Sequence, residues 1–203
     1  MKQLLLIIMT VFVMNVAQAQ DENITIGIGT GATIFNGRID NYGINGAGLS
    51  FNINFYYHHT SNLAFGFERN GNIAIQILQE HRNSNFDVSI LSTVVDYTLK
   101  VKYFIGESKV RPHLALGLGY YRTKSVLRSD DDMGSSIEIP LERYEAIGLS
   151  PELGMNFGFF QLSFISDIIP STVFGHEGNS IFINFLVRAT FNINTQSKKK
   201  TRE

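Results

Sequence analysis

After residue 20 the chain alternates, residue by residue, between large apolar side chains and small or polar ones. Leu49, Phe51, Ile53, Phe55 and Tyr57 alternate with Ser50, Asn52, Asn54, Tyr56 and His58. Leu114, Leu116, Leu118 and Tyr120 alternate with His113, Ala115, Gly117 and Gly119. Comparable runs occur at Ile24–Ile28, Leu63–Phe67, Val95–Tyr103, Ile147–Phe157, Phe160–Phe164 and Ile181–Ile193. A period of two is the signature of β-strands with two different faces, and no segment carries the 3.6-residue period of an amphipathic helix. The pattern predicts eight strands.

The two faces decide what kind of sheet this is. One is Leu, Ile, Phe, Tyr and Val. The other is Gly, Ala, Ser, Thr and Asn with single charges. Large apolar residues suit lipid, and small polar ones suit the narrow lumen of an eight-stranded barrel. A soluble barrel would spread charge over its outer face. Only 17% of the residues are charged, against an ordinary share of ~25%. Without a span of ~20 apolar residues after the leader, a closed barrel is the way left to satisfy every backbone group in lipid. The expected fold is all-β: an eight-stranded antiparallel up-and-down transmembrane β-barrel over residues 20–195.

The first 19 residues read as a secretory signal peptide. Met1 and Lys2 precede the apolar run Leu4–Val13, interrupted by Thr10, and Ala17-Gln18-Ala19 supplies a small-x-small cleavage site. Ala19 stands where a lipoprotein would carry Cys. Removing Lys2 from the 17 Lys+Arg leaves 16 against 18 Asp+Glu. That balance gives no support to nucleic-acid binding. The absence of Cys excludes disulfides, thiolate metal sites and a cysteine nucleophile. Residues 196–203, with Lys198-Lys199-Lys200 and Arg202, read as a basic periplasmic tail.

Connections between strands alternate in length. His59–Asn62, Gly106–Arg111 and Gly158-Phe159 are short. About Phe35–Gly46, Arg69–Phe86, Ser125–Arg143 and Phe174–Asn179 are longer, and are expected to form outer loops opposite periplasmic termini. A strand extension near Ile73–Leu78 fits within the second of these. Tyr56, Tyr57, Tyr103, Phe104, Phe157, Phe159 and Phe160 cluster near the short turns. Tyr120, Tyr121 and Tyr144 cluster near the longest loop. Both groups are expected to form interfacial girdles.

The signal peptide, the run Tyr97-Thr98-Leu99-Lys100-Val101-Lys102-Tyr103-Phe104 and the Arg111-Pro112 step into a Gly-alternating strand resemble the small OmpA- and OmpX-like outer-membrane barrel domains common in Bacteroidota. The resemblance covers about Asn23 to Ile193. It implies outer-membrane lipid and lipopolysaccharide as surroundings and the barrel assembly machinery as a partner, while closure of the barrel makes a monomer the expected state. Such barrels often end on an aromatic residue. Here Phe191 and Ile193 are followed by Asn194–Glu203.

Alternation places Glu68, Asp96, Lys100, Lys102, Glu152 and Arg188 inward, as a lumen ion network with Arg188 near Glu68 or Glu152 and His113 beside it. Buried charges must pair or hydrate. His59-Thr60-Ser61-Asn62 resembles the His-x-Ser-Asn step of outer-membrane lipid A deacylases, which implies His59 as base, Ser61 as nucleophile and Glu68 as orienter. Against that stands a plain reading of the same residues as a turn entering a strand. Asp130-Asp131-Asp132 with Glu138, Glu142 and Glu145 makes the third loop acidic, without the ligand spacing of a calcium loop. The expected function is a non-catalytic structural or surface-interaction barrel without cofactor or metal. A narrow pore, a lipid-modifying hydrolase and a soluble periplasmic ligand-binding barrel are the alternatives.

Overall fold

The computed structural model describes residues 23–39, 42–77, 86–106, 108–131, 136–140, 143–170 and 179–194. The signal segment, the basic tail, Asp132, Glu142 and residues 174–178 of the expected loops lie outside them. Described residues form β1 (Asn23–Ile39), β2 (Tyr42–His58), β3 (Leu63–Ile77), β4 (Phe86–Phe104), β5 (Arg111–Asp131), β6 (Ser136–Pro140), β7 (Tyr144–Asn156), β8 (Phe160–Pro170) and β9 (Asn179–Asn194). No helix occurs among them.

Every pairing is antiparallel, and β1 bonds both β2 and β9, so the sheet closes on itself. Eight strands make the ring. The ninth, β6, continues the line of β7 along the same edge of β5. From the pair Thr123–Tyr144 to the pair Val126–Pro140, three steps along β5 correspond to four along its partner. Within β7, Pro151 lacks an N–H, and the ladder to β8 skips Ser150 and Pro151.

Three of the expected outer loops are strand for much of their length. β1 and β2 pair through Ile39 and Tyr42, so Phe35–Gly46 is a hairpin tip rather than a long loop. β3 runs to Ile77, which makes Arg69–Ile77 strand, and β5 and β6 fill most of Ser125–Pro140. Gly, Asn and Ser signal turns in a sheet with an apolar core, but here they are lumen filler. Asn70, Asn72 and Ser125 are buried inside the ring.

Burial is inverted relative to a soluble protein. Leu99 and Leu118, paired across β4 and β5, are 67% and 58% exposed, whereas Glu68 and Arg188 are fully buried. Glycines on the inner face make room for large lumen side chains. A Cβ on Gly117 would lie 2.5 Å from Thr98 Cγ2 and 2.6 Å from Lys100 Cγ, and one on Gly29 would lie 2.6 Å from Arg188 Cγ.

The end bearing both strand termini carries three short turns. Gly106 and Gly158 adopt φ of 77° and 79°, the left-handed region that a side chain disfavours. In the His59–Asn62 turn, Thr60 Oγ1 accepts from the backbone N–H of Leu63 at 3.0 Å. Arg111 Nη2 donates to the carbonyl of Ser61 at 2.6 Å and Nε to that of Gly106 at 2.9 Å, tying two turns together.

Candidate functional site

The lumen is filled in layers by its own side chains. At its charged level, β3 supplies Glu68, β4 Lys100 and Lys102, β7 Glu152 and β9 Arg188. Lys100 Nζ lies 2.8 Å from both Glu68 Oε2 and Glu152 Oε2. Arg188 Nη1 donates to Glu152 Oε1 at 2.7 Å and Nη2 to Glu68 Oε2 at 3.3 Å. Two carboxylates and two cations thus alternate in a closed ring that crosses the barrel. Lys102 Nζ adds contacts of 3.2 Å to Glu152 and 3.9 Å to Glu68, and sits 4.1 Å over the Tyr56 ring. Tyr56 donates its hydroxyl hydrogen to Glu68 Oε1 at 2.6 Å. His113 Nε2 lies 3.1 Å from Glu152 Oε1 and 2.9 Å from Gln161 Nε2. Ser163 Oγ donates to Glu152 at 2.8 Å.

Asp96 is buried but stands apart from this ring. Its Oδ1 accepts from Asn70 Nδ2 at 2.7 Å and Thr98 Oγ1 at 3.1 Å, and no described cation forms an ion pair with it. The reason is distance along the strand: Asp96 and Lys100 are four residues apart on β4, about 13 Å at a strand's rise. Asp167, on β8, was not singled out in the sequence because the run was followed only to Phe164. Carried on to Pro170, the same parity puts Asp167 inside. It accepts from Tyr121 Oη at 2.8 Å and Asn184 Nδ2 at 2.9 Å.

Two apolar layers flank the polar ones. Toward the long-loop end, Phe35, Ala74, Ile90, Val94, Tyr121, Ile169 and Phe182 pack together, with the Phe35 and Phe182 rings stacked at 4.1 Å. At the short-turn end, Tyr56, Ala64 and Phe104 form a smaller cluster. Tyr56, Phe104 and Tyr121 therefore face the lumen and not the girdles expected of them. Strand parity, rather than position near a strand end, decides this. The exposed aromatics at the short-turn end include Tyr103, Phe157, Phe159, Phe160 and Phe191, and Tyr97 and Tyr120 are exposed nearer the other end.

The His59 and Ser61 side chains do not meet. Ser61 Oγ donates to Asn62 Oδ1 at 2.7 Å, and the His59 ring packs edge-on against Phe65 at 6.2 Å. Glu68 is committed to Lys100, Arg188 and Tyr56 inside the barrel. The described residues hold no group of three or more His, Cys, Asp or Glu arranged to take a metal ion.

No protein-family model matches the chain. No curated protein matches it either. Among solved structures it is similar to the outer membrane protein OprG from Pseudomonas aeruginosa, at 12% identity, 86% coverage of this chain, 97% of that one and a TM-score of 0.49. It is also similar to Neisserial surface protein A, at 16% identity, 82% and 97% coverage and a TM-score of 0.45. A third is Ail, the attachment invasion locus protein of Yersinia pestis, in complex with the heparin analogue sucrose octasulfate, at 16% identity, 85% and 100% coverage and a TM-score of 0.45.

Proposed function

We propose that this chain is an integral outer-membrane β-barrel of the small type common in Bacteroidota, with a non-catalytic structural or surface-interaction role. One observation carries the reading. A closed antiparallel ring buries its charges and exposes its large apolar side chains. In water the exposed apolar face would be penalised, whereas in lipid it is favoured, and the lumen charges pair with one another away from the hydrocarbon. In this reading the termini and short turns face the periplasm and the opposite end faces outward, which the short turns at the terminal end support. The outer extensions of β3, β4, β5 and β6 form the contact surface, and a closed ring that leaves no strand edge to pair supports a monomer.

A hydrated pore is disfavoured by the stacked Phe35–Phe182 layer and by the ion ring that spans the lumen. A hydrolase is disfavoured because Ser61, His59 and Glu68 each have other partners. A soluble carrier would need its apolar face turned inward.

The test is membrane fractionation followed by gel mobility of boiled and unboiled samples. The expected result is recovery in the outer-membrane fraction, extraction only by detergent, and a mobility shift on boiling. Soluble recovery with no shift would overturn the reading.

A further inference from the structure

The outward face of β5 changes character along its length. Leu114, Leu116 and Leu118 are followed by Tyr120, then Arg122 and Lys124. From Leu114 to Lys124 the strand climbs about 25 Å along the barrel axis, at ~3.3 Å per residue and a tilt of ~40°. That is the height of the apolar band of an outer-membrane barrel. Arg122 and Lys124 therefore lie where hydrocarbon gives way to head groups, on the long-loop side.

Neighbouring strands bring more positive charge to the same place. Arg122 pairs with Val95 and Lys124 with Thr93 on β4, and Tyr97 pairs with Arg69 on β3. Arg69 and Arg143 join Arg122 and Lys124 around one exterior depression of about 440 Å³, with Tyr97 and Val95 in its wall. All four cations are exposed. Among the described residues one carboxylate answers them: Glu145, 3.1 Å from Arg122 Nε and 3.4 Å from Arg143 Nη2, which also accepts from the Tyr120 hydroxyl. Arg69 and Lys124 have no ion pair among the described residues, and Arg69 Cζ lies 5.7 Å from the Tyr97 ring centroid. An arginine beginning within the apolar zone and resting on a tyrosine carries its charge toward the interface.

A concave group with four cations and one anion among the described residues, on the lipid-facing wall, is matched to a polyanion held at the membrane surface. Guanidinium groups suit phosphate oxygens, which they bind in pairs. We propose that Arg69, Arg122, Lys124 and Arg143 form a binding site for the phosphate groups of an outer-leaflet glycolipid head group. This rests on the membrane-barrel reading and on its orientation, and it gives the barrel a fixed lipid neighbour on the β3–β5 side.

The test uses the purified full barrel in zwitterionic detergent, titrated with diphosphorylated lipid A and with its dephosphorylated form, with bound lipid counted by native mass spectrometry. Wild type is expected to prefer the phosphorylated lipid. Arg122→Gln/Lys124→Gln is expected to weaken that binding roughly 30-fold, as the loss of two interfacial cations implies. Arg122→Lys/Lys124→Arg is expected to retain most of it. Equal binding of the phosphorylated lipid by wild type and the Gln variant, with the heat-dependent mobility shift intact in both, would overturn the site. Displacement of the lipid by millimolar inorganic phosphate would reassign it to free phosphate and overturn the lipid assignment. Loss of the mobility shift in wild type itself would instead count against the membrane barrel.

Discussion

Replacing Arg188 by Met is expected to cost the folded barrel about 3–5 kcal/mol, the usual penalty for breaking a buried ion pair from one side. Arg188 is fully buried, and its guanidinium bridges Glu152 at 2.7 Å and Glu68 at 3.3 Å. Without it the two carboxylates share Lys100 and the longer contacts of Lys102, and one arc of the ring is open. Lysine is a poor substitute, since one ammonium lacks the planar fork that reaches both acids. Pairing Arg188→Met with Glu152→Gln removes one charge of each sign and is expected to recover part of the loss. Urea unfolding in detergent micelles measures all three variants. A change below about 1 kcal/mol for Arg188→Met would mean that water, rather than Arg188, satisfies the acids.

The second large effect lies on the opposite face. Leu118 sits on β5 near the middle of the stretch from Leu114 to Lys124, and points away from the lumen. Leu118→Arg is expected to destabilise the barrel in lipid vesicles by about 2–4 kcal/mol, the cost of a cation near the bilayer midplane. On a water-facing surface the same substitution stays within about 0.5 kcal/mol. Reversible unfolding in vesicles, with Leu118→Ala as the size control, separates the two. A neutral Leu118→Arg would contradict a lipid-facing belt.

These two sites also show what the sequence made legible. Strand alternation alone separates Leu118 from Arg188, because a period of two assigns every residue of a known strand to one face. It says less about where strands end. Asn70, Gly71 and Asn72 look like a turn, yet they are β3, since a narrow polar lumen favours the residue types that punctuate loops elsewhere. Phe35 suffered the same misreading. Counted as loop, it lies within β1 near the long-loop end and forms half of the apolar stack with Phe182.

Contacts across the lumen were less accessible still. Lys100 and Glu152 are not cross-strand neighbours: β4 and β7 are separated by β5. Their 2.8 Å contact depends on ring closure, on stagger between strands and on the missing side chain at Gly117. None of these follows from one strand's pattern. The basic depression at Arg69, Arg122, Lys124 and Arg143 is hidden for the same reason, since its cations come from β3, from β5 and from the residue that precedes β7.

The central claim is that the apolar face meets lipid and the charged face meets the lumen. Because the chain has no native Cys, single cysteines can be spin-labelled without background. Labels along β4 at Val95, Tyr97, Leu99 and Val101, with inward controls at Thr98 and Ser92, would be read for collision with oxygen, which concentrates in lipid, and with a water-soluble nickel chelate. The expected result is strong oxygen contact and weak nickel contact at the four outward sites, greatest at Leu99, with little access of either reagent at Thr98 and Ser92. Strong nickel contact at Leu99 and Val101 would show that this face lies in water, and would contradict the account.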